Sequence, residues 1–158
     1  MKEKTWNINI NAAAAQSLQG VLLLFKDTQT NFAYKNEEFY NPTFTKILVT
    51  IDGDPHQIYK GGVLPKDIYT EVKRYFHQKH SDVNFEQFLT TKFALWIDTR
   101  SSQKNTLHGS GRTILGNIKL QIDKVPETVE GSLTCYIFKF QDAVAHIVNG
   151  SLDSIEGL

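Results

Sequence analysis

The chain has 158 residues, 41% hydrophobic and 11% aromatic, enough for one core and too apolar for a disordered tail or linker. Seventeen basic residues balance seventeen acidic ones, so the basic excess that phosphate neutralisation asks of a nucleic-acid binder is missing. No apolar run approaches the ~18 residues of a membrane-spanning helix, and the first residues alternate where a signal peptide would be continuously apolar.

Trp6, Ile8 and Ile10 alternate with Thr5, Asn7 and Asn9, the period of a strand with one apolar face. Leu18 to Phe25 is a nearly continuous apolar run, fitting a strand covered on both faces or held in an interface. Ile47, Val49 and Ile51 alternate with Lys46, Leu48 and Thr50, then meet Asp52-Gly53-Asp54-Pro55. Its Asp-Gly is a hairpin signal, with His56 to Tyr59 as the returning strand. The period then changes. Leu64, Ile68, Val72, Tyr75 and Phe76 recur at helical spacing, with Pro65 in the first turn and Lys73 and Arg74 near the last. This predicts a helix over 65–78 that packs on the sheets through Leu64, Ile68, Val72 and Phe76. Asn84 to Leu89 reads as a short second helix. Strand periodicity returns at Phe93, Leu95 and Ile97 and at Ile118, Leu120 and Ile122. The run Leu133 to Phe140 and the stretch Ala143 to Val148 complete about eight strands. Residues 1–158 are therefore expected to form a single all-β domain, an antiparallel eight-stranded sandwich with an inserted helix.

The search for chemistry yields little. Among the histidines, His77 and His80 are near enough to share a metal, but no third ligand follows at a motif spacing and the pair suits a helix C-terminus. The His-x-His start of a cupin metal site is absent. His108-Gly109-Ser110-Gly111-Arg112 fits neither a Gly-x-Ser-x-Gly nucleophile elbow nor a phosphate-binding Walker loop. Gly109 and Gly111 read instead as turn positions in a long loop from Thr99 to Arg112. Asp52 and Asp54 resemble turn chemistry, and Asn149-Gly150-Ser151 is a formal glycosylation sequon. Trp6 and Trp96 suit core or interface anchors better than sugar platforms. The single Cys135 cannot form an internal disulfide and reads as a buried, reduced thiol, suiting an intracellular site of synthesis. No catalytic, cofactor or metal constellation emerges, so no enzyme is expected.

The order of segments carries more. Leu18-Gln19-Gly20-Val21-Leu22-Leu23-Leu24-Phe25 is followed by Phe39-Tyr40-Asn41-Pro42, Lys46 to Gly53, Pro55 to Tyr59 and a helix ending Tyr75-Phe76. Then come Phe88 to Arg100, Leu107 to Arg112 and a strand pair ending in Asp142-Ala143. This succession, over roughly residues 16 to 148, resembles the major capsid proteins of the double jelly-roll lineage, in particular those of Polinton/Maverick elements and adintovirus-like relatives. The most specific stretch is Leu95 to Arg112. The resemblance implies an antiparallel jelly roll of two four-stranded sheets that assembles with copies of itself. The chain has room for one jelly roll where the family has two, and it is similar to the C-terminal one. A capsid or capsid-derived subunit is thus expected, a homo-oligomer and foremost a trimer, with a second jelly-roll domain as a further possible partner. Its interface candidates are Arg100, His108, Gly109, Gly111 and Arg112, where the arginines can make forked bonds to a neighbour. No direct nucleic-acid or membrane contact is expected, and the location implied is the virion or the cell interior. The alternative is a carbohydrate- or ligand-binding β-sandwich using Trp96, Trp6 or loop tyrosines.

Overall fold

The computed structural model describes residues 5–12, 17–27, 38–76, 83–100, 113–124 and 133–156. In chain order they form β1 (Thr5–Asn11), β2 (Leu18–Asp27), β3 (Phe44–Ile51), β4 (Asp54–Gly62), α1 (Pro65–Phe76) and α2 (Phe85–Thr90). The remaining strands are β5 (Leu95–Asp98), β6 (Asn117–Lys124), β7 (Leu133–Gln141), β8 (Val144–Val148) and β9 (Ser151–Glu156). The class is all-β: every strand ladder is antiparallel, and the two helices are short insertions between β4 and β5.

A four-stranded sheet in the order β1-β6-β3-β4 faces a three-stranded one in the order β5-β2-β7, and β8-β9 stands as a separate hairpin. Period-two alternation sets the registers. Ile122 pairs with Ile47, Leu120 with Val49 and Ile118 with Ile51, so their side chains share one face. All nine positions expected inward (Ile47, Val49, Ile51, Phe93, Leu95, Ile97, Ile118, Leu120 and Ile122) are 4% exposed or less. Trp6, Phe25, Phe44, Phe93 and Phe88 close one end of the core, with successive ring centroids 5.1 to 6.3 Å apart.

The Asp52-Gly53 turn forms as its dipeptide demands, with φ of 52° and 90°. The Asp52 carboxylate then accepts the Leu115 and Gly116 amides at 3.1 and 2.8 Å, tying the turn to the entry of β6. Between the sheets' outer surface and α1 lies Trp96, fully buried and stacked on Tyr75 at 3.9 Å, with Phe76 and Phe140 edge-on. Gly20 is required there by space: a Cβ would stand 2.2 Å from Trp96 Cζ2 and 2.7 Å from the Ile97 carbonyl oxygen. In α1, Ile68 is buried and Val72 half-buried as the spacing predicts. Leu64 departs from the expectation. It is 67% exposed because it precedes the helix, where its amide is accepted by the Asp67 carboxylate at 3.1 Å. Its side chain therefore leaves the helical stripe.

Candidate functional site

A cavity of about 340 Å³ with charged residues on its wall lies between the start of β4, Arg74 of α1 and the residues Asp98 to Arg100 that close β5. His56 lies on its wall, 8% exposed. Its Nδ1 accepts the Ile58 and Tyr59 amides at 3.2 Å, so the ring proton sits on Nε2, which donates to the Asp98 carbonyl at 2.8 Å. Burial holds this imidazole below its ordinary pKa. Both nitrogens are committed to backbone. His56 is thus a structural staple between β4 and β5, with neither nitrogen left to take a proton from a substrate.

Asp98 receives Arg100 in a fork, Nε to Oδ1 at 2.9 Å and Nη2 to Oδ2 at 2.5 Å, with both side chains less than a tenth exposed. That bond holds the guanidinium firmly charged. Arg74 bridges from α1, 2.5 Å from Glu71 and 3.7 Å from Asp98. Burial raises the Glu71 carboxyl above its ordinary value, and the Arg74 charge opposes the rise. Arg100 also lies 5.1 Å over the Tyr75 ring, whose hydroxyl donates to Gln19 at 2.9 Å. Gln19 and Ser17 in turn both donate to Asp142, the latter at 2.6 Å. The network clamps α1, β2 and β5 together. No nucleophile in it is paired with a free base. The Thr99 hydroxyl donates to the Leu18 carbonyl at 2.5 Å. No group of three or more His, Cys, Asp or Glu side chains is placed to hold a metal among the described residues.

Of the residues singled out in the sequence, Arg100 is spent on Asp98 of its own chain. His108, Gly109, Gly111 and Arg112 lie outside the described residues, as do His77 and His80. Trp96 is fully buried and Trp6 packs on Phe25 and Phe44, so both are anchors of the domain itself. Cys135 is half-buried and faces the core, where burial pushes its thiol up to about 11 and keeps it protonated.

The second feature is apolar, and sequence reasoning missed its position. On β7, the consecutive residues Tyr136, Ile137 and Phe138 are 45%, 41% and 47% exposed. Consecutive strand residues point to opposite faces, so β7 is partly exposed on both faces at these three residues. Among the described residues β7 pairs with β2 alone, at the end of its sheet. Beyond it, every side chain from Ala145 to Ile155 is exposed, including Ile147, Val148, Leu152 and Ile155. Asn149 and Gly150 form the turn of this hairpin with φ of 52° and 80°, between the paired residues Val148 and Ser151. The signal was available: Asn-Gly is the strongest two-residue hairpin dipeptide, and a sequon reading had obscured it. No protein-family model, curated protein or solved structure matches this chain.

Proposed function

We propose that the chain is a structural subunit of the capsid jelly-roll type, which works by associating with copies of itself and carries no catalysis. Strand order supports this reading. Numbering the strands of a jelly roll 1 to 8, its sheets run 1-8-3-6 and 2-7-4-5. Placed at positions 2 to 8 in chain order, β1 to β7 give 2-7-4-5 for the four-stranded sheet and 6-3-8 for the three-stranded one. Position 1, beside β7, is the one left vacant among the described residues. This agrees with the succession of segments that resembles the C-terminal jelly roll of Polinton/Maverick-type capsid proteins. The polar cleft fits a scaffold, since its ions and its histidine are bonded to one another and to backbone. The open apolar stretch on β7 and on the hairpin gives the molecule surface that is best covered by protein. Electron microscopy of the purified full-length protein tests the reading: threefold ring-shaped particles or closed shells are expected, and a field of single-domain particles contradicts it.

A further inference from the structure

We propose that Asn149 is a self-modifying residue: in the folded chain its side-chain amide is lost to attack by the Gly150 backbone nitrogen, with water as the only co-reactant. The chemistry needs no partner and is independent of self-association. The Gly150 nitrogen adds to Asn149 Cγ, the Cγ–Nδ2 bond breaks, and ammonia leaves with the Gly150 amide proton, which closes a succinimide ring. Water then opens the ring. Cleavage of the new N–Cγ bond gives aspartate. Cleavage of the original peptide bond gives isoaspartate, whose main chain runs through the former side chain. No electrons are exchanged. Ring closure is intramolecular, so its rate follows how readily the two atoms meet. Glycine obstructs that meeting least, having no Cβ.

Asn149-Gly150 is the only Asn-Gly pair in the sequence. The structure sets it in the turn of β8–β9, between the paired residues Val148 and Ser151, so neither turn residue belongs to a ladder pair. Both are exposed, which lets water in and ammonia out. Strands of five and six residues, with side chains exposed from Ala145 to Ile155, open locally at little cost. The Asp52-Gly53 turn makes the contrast. Its backbone is nearly the same, with φ of 52° and 90° against 52° and 80°, and it can form the same ring by losing water. There the side chain is tied down. The Asp52 carboxylate accepts the Leu115 and Gly116 amides at 3.1 and 2.8 Å, and the Asp52 amide donates to the Asn117 carbonyl at 3.4 Å. The two products at Asn149 differ in effect. Aspartate adds a negative charge to a hairpin that already carries Asp153 and Glu156 and has no lysine or arginine from Val144 to Glu156. Isoaspartate also adds a main-chain carbon between Val148 and Ser151. A two-residue turn does not accommodate that length, so the register that sets Ile147 opposite Leu152 is lost at the tip.

Peptide mapping by mass spectrometry tests the site on full-length protein aged in neutral buffer, with a guanidinium-denatured sample aged in parallel. In the folded protein the Asn149 peptide is expected to gain one mass unit, at a rate within about tenfold of the denatured chain's. Part of the product should be isoaspartate, labelled by a protein-isoaspartate methyltransferase. Mildly alkaline buffer should speed the gain, because the attacking nitrogen must first lose its proton. The Asp52 peptide should yield isoaspartate only in the denatured sample. Asn149→Gln, with a melting temperature close to the parent's, should keep its mass, since glutamine must close a larger ring. An Asn149 that keeps its amide in the folded protein overturns the inference, whatever the denatured sample does. A mass gain spread evenly over the other asparagines overturns it too. So does isoaspartate forming at Asp52 of the folded protein as fast as at Asn149, because the side-chain tie would then give no protection.

Discussion

Gly20 and Trp96 show how one residue fixes the identity of another. The missing Cβ of Gly20 leaves room on β2, and the Trp96 indole fills it. Gly20→Ala forces the ring or the Ile97 carbonyl to move, at a cost of about 3 kcal/mol by denaturant unfolding. Trp96→Leu in the same chain should return part of that loss, a coupling that a double-mutant cycle reads directly. The Trp96 indole nitrogen is the only buried side-chain polar atom without a hydrogen-bond partner among the described residues. His56 supplies a second prediction. Its folded pKa lies below the ordinary 6.5, so the unfolded chain takes up a proton that the folded chain resists. Stability from this site is present above pH 6.5 and is lost as pH falls below it through the depressed folded value. In His56→Gln the melting temperature is expected to be lower at pH 7, but the additional fall as pH drops below 6.5 should disappear. An undiminished slope in the variant would remove His56 as its source. None of these pairings was legible in the sequence, because neither Gly20 nor His56 sits in a motif. Each is defined by a partner ~40 to 80 residues away, a separation that periodicity does not report.

At the scale of elements, alternation and helical spacing located nearly everything. β1, β3, β6 and α1 follow from side-chain period alone, and α2 is confirmed by its capping box, in which Asn84 and Gln87 bond each other's backbone amides at 2.8 and 3.1 Å. The failure came at a helix end. Leu64 falls on the helical stripe by counting, yet as the residue before Pro65 it sits where the chain has not yet turned. Ile68→Ala is accordingly expected to cost about 2 to 4 kcal/mol, while Leu64→Ala stays within about 0.5 kcal/mol. Equal losses would mean that the helix docks otherwise. Arg100 was expected at an interface, and its fork on Asp98 joins β5 to the network under α1. Arg100→Ala leaves a carboxylate that is less than a tenth exposed with its main cation gone, a loss of about 3 kcal/mol. The subunit count should not change, and a shift toward folded monomers at unchanged stability would instead assign Arg100 to a neighbour.

At the scale of the whole molecule, the sequence carries strands but not their neighbours. Period two says which face of a strand is buried, and it is silent on which sheet the strand joins or whether its edge is covered. Leu133 to Phe140 was recognised as an apolar run, yet an apolar run reads the same in a central strand and at an open edge that awaits a partner. That β7 ends its sheet among the described residues became visible only with the strand order. Self-association is therefore the central claim, and mass in solution is its most direct measure. Size-exclusion chromatography with light scattering on the full-length chain, over a wide range of concentration, should give a discrete species of several copies, foremost three times the 18.0 kDa chain. An 18.0 kDa monomer at every concentration would contradict the account.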